Sequence, residues 1–398
     1  MRERRIADAA PSFVDRLADA EVVVVGPTPP LRGGIAAHTA ALVEHLQARG
    51  VAAAAVSYRR LYPAFVFPGR AQRTRGTLAP WSEEGLDVLD PRTWWSLGRR
   101  LQRSDAQVVL QWWHPVVAPA LLAATSGLAA GRLVAVCHNV LPHERLPGAR
   151  LAARATLARC GRVVCHSSSE AAVASRLLPL SRITTVGLPC LVSSLEPAPV
   201  PPPELSALGA GARILIAAGH PRSYKGTWLL VEAWGRARRP SSGRLLLVGE
   251  SYLRGAEHRR VSLAAKADPS IVIVDRYVED EELVLFLASS ELLVAAYRRA
   301  SQSGLIPIAL ALGLPCLVSD AGGLAEQVAS GAGPQSTVVR AGDVGALAQA
   351  IERHFDSTQA QPVGSLVRTR TATHADAGTA RFDQWQDLIE AMGVGGRP

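Results

Sequence analysis

ELLVAAYRRASQSGLIPIALALGLPCLVSDAGGLAEQV, residues 291–328, contains two strand-to-helix turns in succession. An apolar run (291–297) ends in a polar cluster, and apolar residues at helical spacing follow over 304–313. A Pro-bounded run (315–320) then ends in a double glycine that opens a further helix at 321–328. Strand, helix, strand, helix in this order predicts a parallel, doubly wound α/β sheet. The first turn holds Ser301, Gln302, Ser303 and Gly304. Two readings fit it. One is an ordinary N-cap, for which Ser is a good residue. The other is a helix N-terminus whose bare N–H groups await an anion, behind side chains too small to block it.

The same alternation runs outward in both directions. Upstream in this half come 212–220, 243–250 and 270–278 as strands, with helices at 226–238 and 280–290. In the first half, strands are predicted at 21–27, 51–58, 106–114, 132–139 and 162–168, with a helix over 33–50. LPCLVSSLEPAPVPPPE (188–204) breaks the pattern, since proline cannot continue a helix, and reads as a linker. A helix of about 12 residues is expected after Gly342, a last amphipathic one at 379–392, and loop over most of 356–378. Two doubly wound halves leave a cleft, and such sheets bind ligands at the carboxyl ends of their strands.

Length and composition agree with two globular domains: 398 residues, 48% hydrophobic, 19% charged. No run approaches the roughly 18 apolar residues of a membrane span. Asp8, Asp15, Asp19 and Glu21 come before any apolar core, which argues against a signal peptide. Five cysteines without metal-ligand spacing read as buried thiols in a reducing cytoplasm. The net charge of +9 comes from the first 200 residues, with 23 Lys+Arg against 14 Asp+Glu; the remainder has 20 of each. Nucleic acid could account for a basic protein, but no RNA- or DNA-binding module is present.

Four strand ends carry residues of chemical interest. Gly33 and Gly34 open the first long helix and would admit a phosphate or simply make a tight turn. Their spacing is neither GxGxxG nor that of a P-loop. His138 and Asn139 end the strand at 132–139, where a histidine can bond a substrate hydroxyl or stay structural. Arg222 and Lys225, in PRSYKG, put a fork and a point charge at a helix start, suited to a diphosphate or else solvated. Gln302, Ser303 and Gly304 stand at one later helix start and Glu326 in the first turn of the next. Converging on one cleft, these favour an anion.

In this order, GG, HN, RxxKG, SG, AxxxGxP (309–315) and DxGGxxE (320–326), the chain resembles the two-domain GT-B glycosyltransferases, in particular the retaining family 4 group. YPAFVFPGRAQ (62–72), QWWHP (111–115), CHNVLPHE (137–144), VGESY (248–252) and SQSG (301–304) are similar to a subgroup with a QSG motif. The resemblance covers about residues 20–345. It implies an acceptor-binding Rossmann-like domain (1–190), the linker (191–203), a nucleotide-sugar-binding Rossmann-like domain (204–375) and a terminal helix (376–398) returning to the first domain. Arg222 and Lys225 would hold the donor diphosphate and stabilise the leaving group, with backbone N–H groups from Gly34, Ser303 and Gly304. His138 would touch the donor sugar near the reacting carbon, Glu326 its hydroxyls, and Glu250 with Tyr277 would line the base or ribose pocket. The implied donor is a UDP- or GDP-hexose, transferred with retention and without a metal or other cofactor.

The sequence departs from the wider family at one point. Its pair of glutamates eight residues apart aligns with Ala300 and Ile308. Lacking them favours a subgroup variant or a non-catalytic nucleotide-sugar binder; a UDP-sugar 2-epimerase would need acidic groups that the cleft does not show. The segment 58–76 interleaves five arginines with aromatics and has no acid. It fits either a solvated loop or peripheral contact with the cytoplasmic face of an anionic membrane, where the acceptor would be lipid-linked or otherwise anionic.

Overall fold

The computed structural model describes residues 17–62, 71–74, 76–142, 146–192, 194–209, 211–329, 336–357, 366–367 and 384–394. Residues 63–70 and 75 of the basic-aromatic segment, with His143 and Glu144, lie outside the described residues; of the rest, Tyr58 is fully buried, Arg60 pairs with Asp87 and Arg73 with Glu84.

The first half forms a parallel sheet of seven strands among the described residues: β1 (Val22–Val25), β2 (Ala53–Arg60), β3 (Ser82–Asp87), β4 (Gln107–Trp112), β5 (Leu133–Cys137), β6 (Arg162–Cys165) and β7 (Ile183–Thr185). Their spatial order is β3-β2-β1-β4-β5-β6-β7. The second half adds β8 (Arg213–Ala218), β9 (Gly243–Val248), β10 (Ile271–Val274), β11 (Leu292–Ala295), β12 (Cys316–Ser319) and β13 (Thr337–Val339), ordered β10-β9-β8-β11-β12-β13. All pairings between these strands are parallel, as in β1 Val22 beside Ala53 on one side and Gln107 on the other. The order turns back at β1 and at β8, and the crevice of a doubly wound sheet opens at such switch points.

Strands buried on both faces become continuous apolar runs, and VVVV in β1 is wholly buried. Three strands escape that signal. β3 reads SEEGLD at a sheet edge with one face half exposed, while β7 and β13 are three-residue edge strands. The linker expectation also needs correction at its end. Pro203 opens a helix of four residues, Pro203–Ser206, because proline at the first helical position gives up an N–H that has no partner there anyway.

Helix Gly34–Ala48 and the helix over 384–392 cover one face of the first sheet. Trp385, Leu388 and Met392 are fully buried against Val22, Val24 and Leu42. Trp385 donates to the Cys190 carbonyl at 3.1 Å, and Gln107 to the Met392 carbonyl at 3.1 Å. Helices Pro91–Arg103, Ala118–Ala124 and Ala149–Leu157 cover the opposite face. All five cysteines are buried and free. No described helix is long and apolar enough to cross a membrane.

Candidate active site in the cleft

Each sequence-selected residue sits just beyond a strand's carboxyl end. Gly33 and Gly34 follow β1, His138 and Asn139 follow β5, and Arg222 with Lys225 follow β8. Glu250 follows β9, Tyr277 β10, Gln302 to Gly304 β11, and Glu326 β12. Two of these helix starts face one another. The side chain of Leu191 lies 3.7 Å from where a Cβ on Gly34 would stand and 3.1 Å from one on Gly304. Neither N-cap glycine supplies a side-chain cap, although Ser303 Oγ accepts from the Leu305 amide at 3.4 Å. Gly33, with φ 120°, makes the turn that exposes the first of the two helix starts.

The cations are placed by backbone geometry. Residues Ser223–Lys225 form a 3₁₀ turn closed by Gly226 in the left-handed region (φ 67°), and helix Thr227–Arg236 starts there. The Tyr224 carbonyl accepts from the Arg298 amide at 2.7 Å, which ties this turn to the strand end carrying Ser301–Gly304. Lys225 Nζ stands 5.4 Å over the Tyr297 ring, and the Tyr297 hydroxyl is 3.3 Å from Ser303 Oγ. Arg222 is exposed and lies 5.0 Å over the Tyr252 ring, which stacks on His220 at 4.6 Å.

Several assignments change. The Ser303 amide is not open to an anion, because it donates to Gln327 Oε1 at 2.8 Å. Glu326 does not point at free space either. It accepts from the Ser168 amide (2.8 Å) and hydroxyl (3.0 Å), and so caps a helix of the first half. Gln302 donates to the His138 carbonyl at 3.2 Å, and Ser301 Oγ is 2.6 Å from Asn139 Oδ1. In this arrangement Asn139, Gln302 and Glu326 join the halves to one another. Glu250 and Tyr277 both lie against Arg32, whose guanidinium is 3.1 Å from Glu250 and 4.4 Å over the Tyr277 ring.

Sequence reasoning missed the partners of these groups. Arg32 stood beside the selected glycines in LRGG. Glu170, buried in the first turn of helix Ser168–Ala174, accepts from the Val140 amide and lies 2.8 Å from Ser301 Oγ; burial pushes its carboxyl up. Gln111, next to last in β4, is fully buried, its Oε1 2.6 Å from His138 Nε2 and its Nε2 3.3 Å from His38 Nδ1. With the amide so oriented, His138 carries its proton on Nε2 and keeps the Nδ1 lone pair. Cys-His at a strand end occurs twice, at 137–138 and 165–166, and that repeat was the legible signal for His166.

His38, His138 and His166 lie within 5.5 Å of one another by ring centroids. Burial lowers all three, His166 to about 4, and each of the other two is lowered further by a neighbouring histidine. They are neutral near pH 7. Among the described residues no group of three His, Cys, Asp or Glu is placed to hold a metal ion. The histidines of the unfolded chain take up protons below their ordinary 6.5, while the folded ones resist. Stability is therefore full above that pH and falls on acidification, by up to about 1.4 kcal/mol per pH unit for each histidine. Melting temperature followed from pH 7 to pH 5 should drop in the parent and drop less in His38→Gln; equal slopes would remove His38 from this account.

Comparison with known proteins places the chain. Residues 32–188 match the family model for Glycosyltransferase Family 4, and residues 212–357 that for Glycosyl transferases group 1. No curated protein matches. Among solved structures, Anabaena Alr3699/HepE in complex with UDP and glucose superposes with a TM-score of 0.65 at 14% identity, over 94% of this chain and 99% of that one. The E. coli trehalose-6-phosphate protein bound with UDP-2-fluoro glucose gives 0.65 at 11%, over 94% and 100%. Sucrose-phosphate synthase from Thermosynechococcus elongatus gives 0.63 at 17%, over 93% and 100%. At such identities the structures show a shared fold, and the family models show more: the chain is a glycosyltransferase of the GT-B fold, with a family 4 domain followed by a group 1 domain.

Proposed function

We propose that the enzyme moves a hexose-type sugar from a UDP- or GDP-sugar to an acceptor hydroxyl with retention of configuration. The observation that carries this reading is the meeting of two glycine helix starts at Leu191, beside the loop of Arg222 and Lys225. Amides and cations there would neutralise a diphosphate leaving group as its charge develops. That supply of positive charge makes a divalent metal unnecessary in this reading. The bond from the anomeric carbon to the phosphate oxygen breaks, the bond to the acceptor oxygen forms on the same face, and the acceptor proton passes to the departing phosphate. Neutral His138 would accept a hydrogen bond from a sugar hydroxyl at Nδ1. Glu250 and Tyr277 would take the nucleoside once Arg32 has moved aside.

The bound neighbours support a uridine nucleotide, since two of them carry UDP or a UDP-sugar. The acceptor is read as lipid-linked or otherwise anionic, at the cytoplasmic face of a membrane, from the basic excess in the first half. One departure favours a second reading. Ala300 and Ile308 stand where the wider family has glutamates, and Ile308 is core-buried, which suits a nucleotide-sugar binder without turnover.

A melting screen against UDP, GDP, ADP and their sugars tests the first reading. A ligand at about a hundred times its Kd stabilises the native state by about 2.7 kcal/mol, enough to raise the melting temperature by several degrees. Release of nucleoside diphosphate, dependent on acceptor, then separates transferase from binder. No shift with any nucleotide overturns both. His138→Ala should lower turnover about tenfold or more while leaving nucleoside-diphosphate affinity unchanged, because its contact is to the sugar. Parental turnover would make the histidine structural.

A further inference from the structure

Residues 91–160 hold nine arginines and only two acidic residues, so most of the chain's net charge arises within one fifth of its length. The structure shows where it goes. Helices Pro91–Arg103, Ala118–Ala124 and Ala149–Leu157 lie in a row on one face of the first sheet, the first two so close that a Cβ on Gly98 would stand 3.2 Å from the Ala124 carbonyl. None of the three contains an acidic residue. Arg100, Arg132 and Arg159 turn inward, to Glu83 or to backbone carbonyls. Arg92, Arg99, Arg103, Arg150 and Arg154 point outward, and none has an ion-pair partner among the described residues.

Large apolar side chains are exposed on the same face. Trp95 (56%) is the one exposed tryptophan of the eight, and Leu151 is 74% exposed, with Leu89 and Leu146 beside the helix starts. In a parallel sheet every crossover helix begins at the carboxyl-end rim. Leu89, Arg92 and Trp95, like Leu146, Arg150 and Leu151, accordingly stand at the rim that carries Gly33 and His138. Tryptophan and leucine among arginines match the interfacial zone of a bilayer with anionic headgroups.

We propose that this three-helix face docks on an anionic lipid bilayer, its apolar end at the cleft rim, so that a lipid-borne acceptor enters the site from the membrane. The inference rests on the proposed function for the acceptor's role alone; the surface stands without it. Sedimentation with phosphatidylcholine vesicles, with and without phosphatidylglycerol, tests it in the absence of nucleotide. The parent should bind the anionic vesicles only, more weakly as salt rises. R92E/R99E/R103E and W95S/L151S should each lose at least tenfold in partition, with parental melting temperature and nucleotide affinity. Variants that partition like the parent, equal binding to neutral vesicles, or retention on a polyanion such as heparin without vesicle binding would each overturn it. Failure of the donor-site reading would leave the partition untouched, so the two are told apart.

Discussion

Lys225→Ala and Arg222→Ala each lower turnover by roughly two orders of magnitude, and both proteins stay folded. The expectation follows from where the cations sit. Lys225 Nζ lies 2.9 Å from the point where a Cβ on Gly219 would be, half-buried over the Tyr297 ring, and it bonds to no carboxylate in the described structure. Arg222 is exposed and rests on Tyr252. Neither holds the fold together, so removal costs little stability. Both would be needed where a diphosphate leaves, because a charge that develops only in the transition state rewards fixed cations most. Lys225→Arg should recover part of the Arg222-independent activity at best, since a planar fork cannot replace a point charge in the same space. Turnover and melting temperature measured side by side check this. Near-parental rates in both alanine variants would remove the assignment.

Gly226→Ala should be strongly damaging for a single added methyl. Gly226 is in the left-handed region, and an added Cβ would meet the Ala296 carbonyl at 2.0 Å. The left-handed conformation alone costs an alanine about 1 kcal/mol. The contact forces the loop off the end of β11, raising the loss to roughly 3 kcal/mol or more and moving Lys225 with it. Gly209→Ala serves as the control, for its φ of 80° is similar and nothing lies within 4 Å of its added Cβ. A melting-temperature loss on the order of 6 °C in Gly226→Ala, against a small one in Gly209→Ala, is the result expected. Equal losses would mean that the loop yields freely and does not fix the cation.

Hydrophobic periodicity made the fold legible. Central parallel strands such as VVVV at 22–25 and ILI at 214–216 are buried on both faces and cannot be mistaken for surface. β3 was silent because SEEGLD at an edge pairs its glutamates with Arg73 and Arg100, contacts that depend on distant segments. Turn positions were legible, since Gly33 and Gly226 stand where a positive φ calls for glycine and Arg222 with Lys225 follow the end of β8. The site was illegible where a polar residue acts on a partner far away in sequence. Gln111 reads as one polar residue in an apolar strand until His138 and His38 come to either side of it. Glu326 was selected correctly as a first-turn carboxylate, yet its bonds go to Ser168, a contact across the cleft that no local pattern contains.

In the proposed reaction, nucleoside diphosphate is held in the cleft by the loop of Arg222 and Lys225. Isothermal titration of the diphosphate chosen by the melting screen, into the parent and into R222A/K225A, tests it most directly. One site per chain is expected in the parent and a loss of at least a hundredfold in affinity in the double variant, with the fold intact. Equal affinity in the two proteins would contradict it.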